Sequence, residues 1–204
     1  MRCMWHEALR YTSSTNQCAW PFVGAVVLQE ASLPRGFQAS TGRGQKKTVN
    51  RPDVYHDGYV NVTCLFSDKR HYWGHGKVHH LSGLHPELQC EIVHHNRFTE
   101  CLILLHQRLV RTIQTAIESQ KAEIHFVISC NAGCQRSVAM LSIMEAVFKK
   151  SALNNITTQH QHLWGCTDPY VRNTCCQCVD CSVPHAVAPH VLQSAYQQWR
   201  AVCR

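Results

Sequence analysis

Ile124-His125-Phe126-Val127-Ile128-Ser129-Cys130-Asn131-Ala132-Gly133-Cys134-Gln135-Arg136-Ser137 is the stretch from which the fold is read. Ile124 to Ile128 is an apolar run of strand length. From Ser137 to Lys150, Val138, Leu141, Met144 or Glu145, and Phe148 recur at helical spacing. A loop of small and polar residues joins the two. A helix starting there presents unpaired N–H groups, and the positive end of its dipole, to that loop. Gly133 and the small Ala132 let the backbone curl so that successive amides converge on one point. Arg136 brings a fork of donors matched to phosphate oxygens. Ser137 is a cap residue and a hydroxyl donor. The structural alternative is that Arg136 closes a strand end by a salt bridge and Gly133 only turns the chain. Coincidence of all these elements after an apolar strand favours an anion site, with phosphate as its ligand.

Working outward, Tyr59 to Phe66 alternates apolar and polar residues and ends in Ser67-Asp68, which predicts a strand running into a loop. Phe98, Cys101, Leu105, Leu109, Ile113 and Ile117 predict a helix over 98–120 with one apolar face. Leu153 to His160 reads as another strand, and Pro189 precedes a final helix ending near Cys203. Strand, helix, strand, loop, helix, strand is the alternation of an α/β protein. The prediction is a small open, mostly parallel sheet with flanking helices, plus a Cys-rich tail. Ligands of such sheets sit at the carboxyl ends of the strands, where residues 130–137 fall. One domain is expected over about 51–165. Residues 1–50 are expected to be a poorly structured segment and linker, and 166–204 a Cys-rich segment with the C-terminal helix.

Composition narrows the function. The 204 residues carry 20 Lys and Arg against 13 Asp and Glu, a formal charge of +7 that suits anionic partners. No run of five basic residues marks a nucleic-acid tail. Thirteen cysteines, an odd number, argue against a fully paired disulfide framework and for a reducing compartment, here read as the cytoplasm. Glu7 and Glu30 are the only acids in the first fifty residues, which leaves organellar import open. No segment is long and apolar enough for a membrane span, so no membrane partner is expected.

Two families share the central pattern. Cys130, Arg136 and Ser137 form Cys-x5-Arg-Ser, which resembles the active-site loop of Cys-dependent protein phosphatases, with Asn131-Ala132-Gly133 closest to the dual-specificity branch. That resemblance implies Cys130 as nucleophile and Arg136 as clamp of the transition state. Ser129 stands where that pattern has a histidine. No Asp occurs between Asp68 and Cys130, and Glu100 is the only acid near the distance expected for a proton donor.

The loop also resembles the Cys-Thr-Gly-Gly-x-His-Arg-Ser-Val motif in the C-terminal domain of the RapZ (RNase adapter) family. Cys130, Gly133, Arg136, Ser137 and Val138 match it, while Asn131, Ala132 and Gln135 replace Thr, Gly and His. His79 to Leu88 is similar to that family's Thr-Gly-Leu block and following helix. The strand ending at Ser67-Asp68 and the segment Asn155 to Leu163 are similar to two further blocks. This resemblance covers about residues 58–163. It implies a phosphofructokinase-subdomain-like build and a loop that binds an amino sugar phosphate without chemistry of its own, with Asn131 and Ser137 donating hydrogen bonds and Gln135 contacting the rest of the ligand. It also implies an adapter role with RNA or protein partners. The family's nucleotide-binding half has no counterpart here. A homo-oligomer is compatible with the reading.

Two clusters remain. His71, His75, His79 and His80 suit either a metal or a wall facing the phosphate opposite Arg136; the family resemblance favours the wall, with His71 as contact. Cys175, Cys178 and Cys181, with Cys166 or His185, have the make-up of a structural zinc site. Lacking a second well-separated pair of cysteines, the segment reads more readily as a divergent tail, and no cofactor is required.

Overall fold

Strand β3 (Glu123–Cys130) contains the apolar run and occupies the interior of the sheet. The computed structural model describes residues 25–32, 56–63, 65, 81–130, 135–151, 156–159 and 187–204. Within them, β1 (Ala25–Ser32), β2 (Gly58–Asn61) and β4 (Ile156–Gln159) complete a four-stranded sheet. The order is β2-β3-β1-β4, and every pairing is parallel. The sheet is thus small, open and α/β in kind.

The strand β1 lies inside the segment expected to be an unstructured appendage, and that expectation is corrected. Val26, Val27 and Leu28 are consecutive buried residues, so the strand carries no apolar–polar alternation. Such a run belongs to a strand covered on both faces, and sequence alone does not separate it from any short apolar stretch. Pairing runs from Ala25 opposite Glu123 to Ser32 opposite Cys130. The second expected strand, Tyr59 to Phe66, is shorter than its alternation suggests. Asn61 Oδ1 accepts from Thr63 N at 2.8 Å, an Asx turn that ends β2.

Side-chain period sorts the sheet into two faces. Val26, Leu28, Val60, Ile124, Phe126, Ile128 and Cys130 join one core cluster with the helices. On the other face, buried Gln29 donates to Gln159 Oε1 at 2.8 Å and lies 3.3 Å from His125 Nδ1, tying three strands in register.

Among the described residues four helices build the second layer: α1 (Pro86–His94), α2 (Phe98–Glu118), α3 (Arg136–Lys150) and α4 (Pro189–Val202). The connections from β2 to β3 and from β3 to β4 step the same way along the sheet. Right-handed crossovers therefore place α2 and α3 on one face, and buried residues of both enter the single cluster. Helix α4 packs on α1, α2 and α3 through Val191, Ala195 and Trp199. The Trp199 ring meets Phe148 edge-on at 5.3 Å and His106 at 5.5 Å.

Local chemistry fixes the helix ends. Pro86 opens α1 after His85, whose Nδ1 accepts from Glu87 N at 3.2 Å. On α2 the buried stripe is Phe98, Cys101, Leu102, Leu105, Leu109, Ile113 and Ala116, while Ile117 is 46% exposed. Sequence periodicity assigned Ile117 to the core. Eighteen residues make about five turns, so Ala116 returns above Phe98 and Ile117 swings roughly 100° away. Gln120, with φ 53°, ends the helix: its N–H reaches Ile117 O, and Lys121 N reaches Ala116 O at 2.9 Å. This is a Schellman closure with a side chain where glycine is favoured.

Two outcomes follow from this packing. Gln120→Gly relieves a left-handed conformation costing about 1–2 kcal/mol, less about 0.5–1 kcal/mol of added chain entropy. A net gain of about 0.5–1 kcal/mol is expected in urea denaturation; a loss would contradict the assigned cap. His106 has its pKa lowered by burial against the helical layer. The unfolded chain then binds the proton more readily, so stability is lost as pH falls from about 6.5 toward the folded value. Melting temperatures at pH 7.5 and 5.5 should differ less in His106→Gln than in the parent chain.

Candidate functional site

Three segments converge at the carboxyl end of the sheet. The first is the turn after β2: Val62 N donates to Ser129 O at 2.8 Å, and Leu65 N closes back on Val62 O. The second is Leu81 to His85, folded on itself by His85 N to Ser82 O at 3.0 Å and Leu84 N to Ser82 Oγ at 3.2 Å. The third is the end of β3 with the first turn of α3. The Ser82-Gly83 block and the Cys130 strand end, far apart in sequence, are therefore neighbours through α3.

Contact between the second and third segments is very close. A Cβ added at Gly83 would collide with Gln135 O, Ala139 N and Val138 Cβ, so only hydrogen fits there. Gln135 is buried and donates from Nε2 to Leu81 O at 3.0 Å. Gln89 Nε2 donates to Gly83 O at 3.2 Å from the other side. In this conformation the Gln135 amide, expected to meet ligand, spends a donor on the protein backbone.

Arg136 is the first residue of α3 and half-buried. Its Nη1 donates to Thr63 O at 2.8 Å and Leu65 O at 3.0 Å, which fastens the β2 turn to the helix start. Two main-chain carbonyls thus hold the guanidinium beside the β2 turn. Ser137 sits one residue inside the helix rather than at its cap. The cap position is Gln135, with no side-chain cap bond. Ser137 Oγ instead lies 3.1 Å from Cys130 Sγ, both residues fully buried, and either atom can donate. Six residues, 131–136, separate the two in sequence.

Asn131, Ala132 and Gly133 lie outside the described residues, as do His71 and the cysteines Cys166, Cys175, Cys178 and Cys181. Among the described residues no group of three His, Cys, Asp or Glu side chains is placed to hold a metal. Cys90, Cys101, Cys130 and Cys203 are thiols rather than disulfides. No helix among the described residues is long and apolar enough to cross a membrane. Glu100 is exposed in the first turn of α2, and Arg97 grips both of its oxygens at 2.9 Å. The Arg97 hydrogen bond holds that carboxyl below its ordinary value, so it is ionised at neutral pH and poorly suited to donate a proton. Lys149 pairs with Glu145, and Lys150 donates to Gln193 Oε1 at 2.7 Å while lying 5.0 Å from the Tyr196 ring centre.

The sequence did not point to the Thr63, Leu65 and Leu81 carbonyls, because main-chain acceptors leave no residue signature. Gly83 was visible as a glycine but not as a packing requirement. No protein-family profile, no curated protein and no solved structure matches the chain.

Gly83→Ala forces apart the Leu81–His85 block and the first turn of α3. Overpacking against backbone should cost about 1–3 kcal/mol. Thermal melting is expected to fall by several degrees, and an unchanged midpoint would show that the two segments are not in contact.

Proposed function

We propose that the chain binds the phosphoryl group of a small sugar phosphate between β3 and α3, in the manner of a RapZ-type C-terminal domain. The observation that carries the reading is the stapling of the loop's two ends. Cys130 Sγ and Ser137 Oγ meet at 3.1 Å behind it, and two carbonyls hold Arg136 beside it. Such staples fix the exit of the strand relative to the start of the helix, which lowers the ordering cost of binding between them. The α3 dipole adds about half a positive charge at that point. In this reading the amides of Asn131, Ala132 and Gly133 cradle the phosphate. Ser137 acts from below through the Cys130 contact, and Arg136 brings its positive charge to the start of α3. A phosphofructokinase-like relation of the sheet, an adapter role and RNA as partner extend the same resemblance.

The Cys130–Ser137 contact also favours a second reading, a Cys-dependent phosphatase. A hydroxyl at 3.1 Å can donate to a thiolate and hold it for attack on phosphorus. Full burial of Cys130 and the ionised state of Glu100 weigh against it.

One set of measurements separates the two. Glucosamine 6-phosphate at about 100 times its dissociation constant stabilises by about 2.7 kcal/mol. For a chain of this length the melting temperature then rises by about 5–10 °C. Cys130→Ser should keep that shift, while Arg136→Lys, checked for fold by circular dichroism, should lose most of it. Absence of any shift in the parent chain sinks the binding reading. Turnover of p-nitrophenyl phosphate that disappears in Cys130→Ser replaces it with the phosphatase.

A further inference from the structure

The geometry points to a second ligand site at the opposite end of the sheet, a basic cleft that takes a nucleoside monophosphate. It is a cavity of about 520 Å³ between the amino end of β2, the C-terminal half of α2 and the turn that enters β3. That volume lies within the range of sites for small ligands. Asp57 N donates to His125 O, which places the cleft beside the start of β3. Five residues of strand separate His125 from Cys130, so about 16 Å lies between the cleft and the loop at 130–137.

The charge of the cleft is specific. Arg108 and Arg111 stand one turn apart on one face of α2, both exposed and both lining the cavity. Neither takes part in an ion pair among the described residues. Lys121 also lines it but is paired with Asp57, whose other oxygen accepts from His125 N at 2.8 Å. Among the described residues, three cations against one carboxylate leave an excess of two positive charges. A phosphate monoester carries about −1.5 to −2 at neutral pH. Two neighbouring guanidinium forks are the donors suited to its oxygens, and without an anion their like charges oppose each other. The α2 dipole is negative at its C-terminus, but that effect is confined to the last turn. Arg111 lies about 10 Å back from Glu118 along the axis. An anion over the arginines escapes that repulsion.

The rest of the lining supplies a place for a ring. His56 and Tyr59 have centroids 5.2 Å apart with planes inclined at 54°, forming an aromatic wall. Aromatic side chains beside a basic groove stack nucleobases of any identity. Along the floor a Cβ at Gly58 would strike Thr112 Oγ1, so helix and strand meet there without side chain between them. Among the described residues β2 is an edge strand of the sheet.

Isothermal titration of the full chain with AMP, adenosine and inorganic phosphate tests the site. AMP should bind, and adenosine and phosphate should each bind at least tenfold more weakly. The double variant Arg108→Ala/Arg111→Ala alters only exposed residues, so its fold should persist by circular dichroism. Its AMP affinity should drop at least tenfold while any shift with glucosamine 6-phosphate is retained. Failure of AMP to bind, unchanged AMP affinity in the double variant, or adenosine binding as tightly as AMP would each overturn the assignment. If phosphate matches AMP, the aromatic wall has no part and the nucleotide reading falls.

Discussion

The five residues Phe126 to Cys130 lie entirely out of water, and their backbone groups must find partners within the sheet. A single neighbouring strand satisfies one edge only. The parallel pairing of β3 with β1 on one side and with β2 on the other meets that requirement. Everything at the carboxyl end inherits its position from this double pairing. The β2 turn is brought to Ser129, the helix start is aimed from Cys130, and the β1 end lies opposite Cys130.

Helical packing then decides how tightly that end is closed. α3 is apolar on most of its surface because the sheet, α1 and α4 press on different sides of it. Gly83 allows the segment before α1 to touch the first turn of α3, and Gln135 and Arg136 convert that proximity into hydrogen bonds with carbonyls. Anchored in this way, the entry to α3 is a stiff frame on which a short loop is carried.

The two ends of the sheet differ electrostatically for one reason. Parallel strands put all their exits on one side and all their entries on the other. The exit of β3 is followed by the N-terminus of α3, with its positive potential. At the entries the dipole is unfavourable, and side chains must supply the positive charge; Arg108, Arg111 and Lys121 do so.

Local pattern alone determined the long helices, the strand at β3 and the start of α3, because apolar spacing and length are properties of neighbouring residues. It marked Cys130, Arg136 and Ser137 as a group because their separation is fixed along the chain. Tertiary structure decided that Ala25–Ser32 is a central strand, since a run buried on both faces has no periodicity to announce it. It also decided that Arg136 and Gln135 are held by the carbonyls of Thr63, Leu65 and Leu81, and that Arg108 and Arg111 share a cleft with His56 and Tyr59. These contacts join segments some fifty to seventy residues apart, and which main-chain oxygen or ring stands opposite a side chain is settled only when the sheet order closes the distance.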